Sequence, residues 1–346
     1  MVSERYEKLV RGKLGIISCN SGMHFADKVL LKLEDIINNE RSNISNLKIE
    51  SDEKVFANSE IKTEIEDSIR NRDIYIFQDV ENNSDGLSVN DNYMALKTAI
   101  IAAKASDARY ITAVVPVFPY SRQDKPKSRE GITAALVARE LEDAGASRVI
   151  TLDVHQETIG GFFRKAVLEN LRASKKILDY AKENVSLDNL VIVAPDAGSA
   201  QRASFYARNL SLPLSIMHKE RNYSTENNVE NMTLVGNVNN KDCFFVDDMI
   251  DTAGTTIAAL KAVKDEGAKD VYFATSLPLF NGEAIDKLDR AYQEGYFTKI
   301  IGTNVVYTGE NFSKDCVWYD EIPLEKYFAK VIYNINQGNS ISKLLL

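Results

Sequence analysis

Short runs of apolar, mostly β-branched residues recur at positions 74–77, 110–115, 148–152, 190–194, 243–246 and 270–275. Most are apolar at every position rather than at alternate ones, the pattern of strands covered on both faces. Between them, apolar residues return at helical spacing over 92–105, 133–144, 199–210 and 256–266. Alternation of this kind predicts an α/β protein, with parallel sheets flanked by helices and joined by right-handed crossovers.

One stretch is echoed. Residues 131–149 read GITAALVARELEDAGASRV and residues 254–271 read GTTIAALKAVKDEGAKDV. Each opens on Gly, runs through Ala-Ala-Leu, and closes on Gly-Ala before the next apolar run. The closing Gly is placed to cap the helix. The echo predicts an internal duplication: two similar α/β domains, 1–165 and 166–346, joined near 162–173. A length of 346 residues accommodates two domains of ordinary size. The polar stretch 40–52 reads as an exposed connection.

Composition narrows the function classes. With 44% hydrophobic and 27% charged residues the chain is an ordinary globular one. Its formal charge of −8 argues against a nucleic-acid partner, which needs a basic footprint, but leaves room for a locally basic site. Three cysteines, Cys19, Cys243 and Cys316, fit neither a zinc site nor a disulfide framework and read as buried free thiols. The N-terminus has no apolar core of signal-peptide length, and no run of about 18 apolar residues occurs. The expectation is a cytoplasmic protein with no membrane partner.

In open α/β sheets, ligands bind beyond the carboxyl ends of strands. The second half offers three such loops. In CFFVDDMIDTAGTT an apolar strand delivers Asp247 and Asp248, then Asp251, Thr252, Ala253, Gly254, Thr255 and Thr256 lead into a helix. Small residues and a helix N-terminus suit a phosphate. The acids repel a phosphate and suit sugar hydroxyls, directly or through a metal. An acidic helix cap would also use Asp and Thr, but needs far less than this spacing. In VIVAPDAGSAQR, Asp196 stands at a strand-to-helix turn, where a Mg²⁺ ligand and an ordinary turn Asp read equally well. In SIMHKERN, Lys219 and Arg221 follow a short apolar run. They suit charge neutralisation in phosphoryl transfer, and read alone they are also a solvated basic turn.

The first half is less explicit. The run 110–115 leads into PVFPYSRQDKPKSREG, where Arg122, Gln123, Asp124, Lys125, Lys127 and Arg129 fit a basic lid for polyphosphate or a solvated loop. His155 follows a strand ending at Asp153, a placement open to a structural or a functional reading. In VFANSEIK, Phe56 can stack on a base and Asn58 and Glu60 can read its edge, though the residues alone do not single it out. Neither common nucleotide loop, GxxxxGK[ST] or GxGxxG, is present.

Taken together, FANSE, FPYSRQDK, DVHQETIGGFF, PDAGSAQR, HKER and VDDMIDTAGTT, in this order, resemble the ribose-phosphate pyrophosphokinase family over nearly the whole chain. The resemblance implies two phosphoribosyltransferase-like domains, an ATP-side N-terminal one and a ribose 5-phosphate-side C-terminal one. It implies transfer of a diphosphoryl group from ATP to ribose 5-phosphate, with Mg²⁺ as cofactor, in a homo-oligomer that is commonly a hexamer. By the same resemblance, Phe56, Asn58 and Glu60 reach the adenine, usually from a neighbouring subunit. Arg122, Gln123, Asp124 and His155 meet ATP, and His155 and Asp196 form the Mg²⁺ site. Lys219 and Arg221 are the catalytic pair. Asp247, Asp251, Thr252, Ala253, Gly254 and Thr255 cradle ribose 5-phosphate, with Asp248 and Thr256 beside them.

The chain departs from the family pattern in three places. Glu130–Gly131 stand where Ala-Pro is frequent, TSLP at 275–278 stands where a Thr-His pair is common, and 40–52 is longer than usual. Two rivals remain: a phosphoribosyltransferase that consumes the activated sugar, and a non-catalytic relative that assembles with true synthetases. The first leaves the first-half motifs unexplained. The second should have lost Lys219, Arg221 or the loop acids.

Overall fold

The computed structural model describes residues 11–40, 46–126, 128–220 and 231–345, with the backbone alone at Lys219, Glu220 and Asn231. It divides into two units. The first contains β1 (Leu14–Ser18), α1 (Met23–Asn39), β2 (Ser51–Val55), β3 (Ile61–Ile65), β4 (Asp73–Phe77), α2 (Val89–Ala105), β5 (Tyr110–Val114), α3 (Thr133–Ala144), β6 (Arg148–Leu152) and β7 (Val167–Leu171). Its sheet runs β1-β4-β5-β6-β7, every neighbour parallel, and β2 and β3 form a separate antiparallel hairpin. In β4 all five residues of DIYIF are buried, as the unbroken apolar run predicts.

The second unit contains α4 (Ser174–Asn184), β8 (Leu190–Ala194), α5 (Ala200–Leu210), β9 (Leu214–Glu220), β10 (Asn231–Val235), β11 (Asp242–Ile250), α6 (Gly254–Asp265), β12 (Val271–Pro278), α7 (Ala284–Gln293), β13 (Lys299–Thr303), α8 (Phe312–Asp315) and β14 (Tyr319–Ile322). Its sheet order is β10-β9-β8-β11-β12-β13-β14, parallel except for the antiparallel β9–β10 pair. The core lies against this sheet, with Val191, Phe245, Phe273, Leu260 and Trp318 buried together.

The echoed stretches occupy equivalent places. Each forms a helix, α3 or α6, between two neighbouring parallel strands, β5 and β6 or β11 and β12. Both helices are followed by a glycine in the left-handed region, Gly145 at φ 128° and Gly267 at φ 87°. Their N–H groups bond back to the carbonyls of Glu142 and Lys264, as helix-ending glycines do. By contrast α2 opens on a reciprocal capping box between Ser88 and Asp91.

The division differs from the expected 1–165 and 166–346. The first unit comprises Met1–Arg172, Val305–Tyr307 and Leu324–Leu346, so α9 (Glu325–Asn336) belongs to it. Its amphipathic face packs on α1, with Phe328 edge-on to Phe25 at 5.0 Å. Each such buried ring contributes about 2–3 kcal/mol. Asn336 Nδ2 donates to the Asp73 carboxylate at 3.0 Å and to the Gly12 carbonyl at 3.1 Å. The short crossing Val305–Tyr307 is tied by the Tyr307 N–H, which donates to buried Asp79 at 2.8 Å. An amphipathic pattern shows that a helix has a buried face but not which sheet receives it.

All three cysteines are free thiols, Cys19 and Cys243 buried and Cys316 half-buried. No helix among the described residues is long and apolar enough to cross a membrane.

Two positions test this packing. Asp73 is fully buried and accepts from Arg11 Nε at 3.2 Å, Tyr75 Oη at 3.3 Å and Asn336. Asp73→Ala strands the guanidinium and should cost about 3–5 kcal/mol, read by urea unfolding; a loss under about 1 kcal/mol would contradict this role. Glu142 Oε1 accepts the N–H groups of Arg164, Lys165 and Ala166 at 2.8, 2.5 and 2.6 Å. Burial pushes its carboxyl up, but these donors outweigh it and hold the pKa below the usual range. A depressed folded pKa stabilises above the unfolded value, and the contribution disappears as pH falls through the folded one. Glu142→Ala should therefore cost about 2 kcal/mol at neutral pH. The gap to the parent protein should close progressively below about pH 4; a gap independent of pH would count against the charged cap.

Candidate active site

The second sheet has a point where successive connections leave in opposite directions. After β8 the chain moves to β9 on one side, and after β11 it moves to β12 on the other. Ligand crevices of open α/β sheets form at such points. The register sharpens it. Pairing of β11 with β8 ends at Phe245↔Val193, whereas pairing with β12 continues to Ile250↔Pro278. Asp247, Asp248 and Met249 thus lie beyond the last β8 partner.

Asp248 is buried and Asp247 is half-buried. The Asp248 N–H donates to Asp247 Oδ1 at 2.9 Å. Burial raises the Asp247 carboxyl well above the usual range, the neighbouring Asp248 charge adds to this, and Arg202 pulls it back. Arg202 reaches over from α5, with Nη2 3.7 Å from Asp248 Oδ2. Asp196, at the end of β8, also acts on Asp247 through its charge. It is half-buried, and its Oδ1 accepts the Ser199 N–H at 2.8 Å and the Ser199 hydroxyl at 3.0 Å. Asp196 therefore holds the strand-to-helix turn. Two readings of its residues were open, and the turn hydrogen bonds are present.

After β11, Asp251 is half-buried and accepts Asn281 Nδ2 at 2.9 Å. Ala253 is buried at φ 61°, in the left-handed region that an alanine rarely enters. It stands as the N-cap of α6 and supplies no capping side chain, and no acid lies in the first turn. Thr252, Gly254 and Thr255 are exposed and Thr256 is buried. No atom lies within 4 Å of where a Gly254 Cβ would stand. The loop thus presents an uncapped positive helix end to open space, which favours an anion.

His218 and Lys219 lie within β9 rather than after a strand end, with Lys219 opposite Met232 of β10. The strand is longer than the short apolar run suggests, because its last residues pair with β10 at the edge of the sheet. Arg221 falls outside the described residues.

In the first unit, the loop after β5 buries Phe118 against Phe163, rings 6.1 Å apart, which ties it to the segment after β6. Arg122 and Gln123 are exposed and Asp124 is buried. The Gln123 side chain accepts the Thr133 hydroxyl at 2.6 Å, and its carbonyl accepts the Ala134 N–H at 3.2 Å, so Gln123 also anchors the start of α3. Lys127 falls outside the described residues. Half-buried His155 follows Asp153, which has φ 41° and pairs with Arg172 at 3.3 Å. The Val154 N–H donates to Asn170 Oδ1 at 2.9 Å. Phe56, Asn58 and Glu60 form the tip of the β2–β3 hairpin, all exposed. Asn58 Oδ1 accepts the Glu60 N–H at 3.2 Å, and Ser59 has φ 68°.

Sequence reasoning passed over Arg172 and Asn281 altogether, and it quoted Arg202 only as part of a motif. A strand placed to end at 275 hides Asn281, because β12 continues through Pro278 and delivers the next loop to Asp251. No local signal marks Arg172, whose partner lies 19 residues back.

The chain matches two family models. One is described as the N-terminal domain of ribose phosphate pyrophosphokinase, over residues 14–145, and the other as the phosphoribosyl transferase domain, over 164–309. Ribose-phosphate pyrophosphokinase 4 of Saccharomyces cerevisiae is 40% identical over 290 residues, spanning 84% of this chain and 85% of the relative. Ribose-phosphate pyrophosphokinase 2 of Schizosaccharomyces pombe is 40% identical over 292 residues, spanning 84% of this chain and 87% of the relative. The crystal structure of phosphoribosylpyrophosphate synthetase from Mycobacterium smegmatis superposes with a TM-score of 0.81 at 28% identity, covering 94% of this chain and all of that one. With both units matched and most of each relative spanned, this chain belongs to the ribose-phosphate pyrophosphokinase family.

Proposed function

We propose that the protein transfers the diphosphoryl group of ATP to the anomeric hydroxyl of ribose 5-phosphate, giving 5-phosphoribosyl 1-diphosphate and AMP. The observation that carries this reading is the polarity of the loop after β11. Acids at Asp247, Asp248 and Asp251 precede an uncapped helix end at Gly254 within one short segment. A ligand that fits has hydroxyls at one end and an anion at the other. Ribose 5-phosphate has both.

The anomeric oxygen bonds to the β-phosphorus, the bond from that phosphorus to the oxygen of the α-phosphate breaks, and AMP leaves with that oxygen. The hydroxyl proton passes to solvent. Such transfer needs positioning and charge neutralisation, not a covalent protein intermediate. Thr252, Gly254 and Thr255 hold the 5-phosphate, with Ala253 shaping the turn and Thr256 beneath it. Asp247 and Asp251 orient the sugar hydroxyls, with Asp248 held by Arg202. Lys219 and Arg221 neutralise charge on the moving diphosphoryl group. Arg122, Gln123 and Asp124 meet ATP. Phe56, exposed in the single chain, stacks on the adenine of a neighbouring subunit, with Asn58 and Glu60 at the base edge. With this role the protein acts as a homo-oligomer, and we place its reaction in the cytoplasm.

Mg²⁺ usually takes one or two carboxylates and fills its shell with water and phosphate oxygens. No group of three or more His, Cys, Asp and Glu among the described residues forms a cage. Asp196 fits an ion that arrives with ATP, since its hydrogen bonds from Ser199 fall on one oxygen. Asp196 would hold Mg²⁺, which supplies charge neutralisation on the ATP phosphates when bound, and His155 is the candidate ligand that the first unit offers.

The deciding assay mixes the protein with ATP, Mg²⁺ and ribose 5-phosphate and follows AMP. Sugar-dependent AMP is expected. No AMP, even with inorganic phosphate present, would return belief to a base-dependent phosphoribosyltransferase or a non-catalytic relative. Lys219→Ala should lower turnover by about 100-fold with both KM values nearly kept; unchanged turnover removes Lys219 from this role. Thr255→Asp gives two effects of opposite sign. A carboxylate in the first turn stabilises α6 by about 0.3–1 kcal/mol. It also repels the phosphate and should raise the ribose 5-phosphate KM about tenfold or more. Thermal unfolding and steady-state kinetics together check the pair, and an unchanged KM would place the phosphate elsewhere.

A further inference from the structure

We infer that Asn281 is a positioning residue for ribose 5-phosphate, acting through Asp251; this deepens, and rests on, the proposed reading of the loop after β11. Its Nδ2 donates to Asp251 Oδ1 at 2.9 Å, across 30 residues of sequence. Asp251 opens the segment that ends at the uncapped start of α6. A carboxylate there is useful only if its plane is held, because a freely rotating one would turn its charge toward the phosphate. A donor on one oxygen removes that freedom.

The donor is held in turn. The N–H groups of Leu279 and Phe280 both donate to the Ile250 carbonyl, at 3.0 and 3.1 Å, which staples this loop to the residue before Asp251. Phe280 sits at φ 49°, a conformation that bulky residues avoid. Its ring is locked by Phe312, Trp318 and Tyr319, with centroids 5.8, 6.2 and 5.7 Å away. An aromatic cluster thus sets the strained turn, the turn aims Asn281, and Asn281 orients Asp251. Asn281 follows 275–278, where this chain departs from the family pattern.

The test compares the full-length protein with Asn281→Leu, which keeps the shape and loses the donor, and with Asn281→Gln, which keeps the amide. Steady-state kinetics would be run against each substrate, with direct ribose 5-phosphate binding by calorimetry and thermal unfolding in parallel. The expected result for Asn281→Leu is a ribose 5-phosphate KM raised about tenfold, one hydrogen bond's share at a tenfold per 1.4 kcal/mol. The ATP KM should stay within about twofold and kcat should fall little. Asn281→Gln should recover part of the loss. An unchanged ribose 5-phosphate KM, or equal rises for both substrates, overturns the inference. A lowered melting temperature without the split assigns Asn281 a purely structural role and overturns it too. If the parent protein binds ribose 5-phosphate but makes no AMP, weaker binding by Asn281→Leu sustains the inference while the proposed reaction fails. If the parent protein does not bind the sugar phosphate, both fail.

Discussion

The second unit depends on one inequality of length: β11 outruns β8. A central strand of a parallel sheet normally has its hydrogen bonds taken on both sides. Here pairing with β8 stops at Phe245 while pairing with β12 continues to Ile250. The projecting segment has a neighbouring strand on one side only, and a buried backbone donor left without a partner costs about 1–3 kcal/mol. The aspartates answer part of this locally, because Asp247 accepts the Asp248 N–H and Asp248 accepts the Met249 N–H at 3.1 Å. Asp247, proposed to orient a sugar hydroxyl, is thus also an acid that the strand end uses.

The charge arrangement follows from this geometry. Asp196, Asp247 and Asp248 act on one another, with the Arg202 guanidinium beside Asp248. Acids gathered this closely are costly to bury and suit cations or hydroxyl donors. A few residues later the sign reverses at the uncapped end of α6. A bare N-terminus is not itself unusual here, since α1, α3, α4, α5, α7 and α9 also lack a capping side chain at the N-cap and only α2 carries a capping box. What sets α6 apart is the run of acids that precedes its bare end.

The interior strands were legible because burial on both faces leaves unbroken apolar runs: β6 and β8 have the bounds read from their residues, and β4 and β5 differ by a residue. The edges were not. In β2 the residues are SDEKV, polar at four of five positions, and the strand is visible only through its pairing with β3. The β9–β10 pair was legible only in part: a short apolar run marks the start of β9, while its last residues and β10 are held by their pairing at the edge of the sheet. Of the candidate site, the loop between β11 and α6 was readable because small residues, acids and a helix start fall together in sequence. The Asp251–Asn281 and Asp153–Arg172 contacts were not, because each joins strand ends that only the sheet brings side by side. The placement of α9 on the first unit was hidden by the same kind of distance.

Backbone conformation links these observations. Among the described residues, seven of those at positive φ that are not glycine, Asn46, Ser59, Asn71, Asp107, Asp153, Ser211 and Asn240, are small polar types that tolerate this region. Tyr120, Ala253 and Phe280 are not such types, and each sits in a loop beyond a strand's carboxyl end. Residues held this way cost about 1–3 kcal/mol each and persist only where the surroundings over-determine them. The surroundings are visible: the Tyr120 hydroxyl bonds to Asn90, Ala253 is buried, and the Phe280 ring is packed among three others. Relaxing any of the three would gain local energy and move the loop that carries Gln123, Gly254 or Asn281, residues that the proposed reaction uses. The strain fits a demand on the positions of those residues better than a demand of the turns themselves.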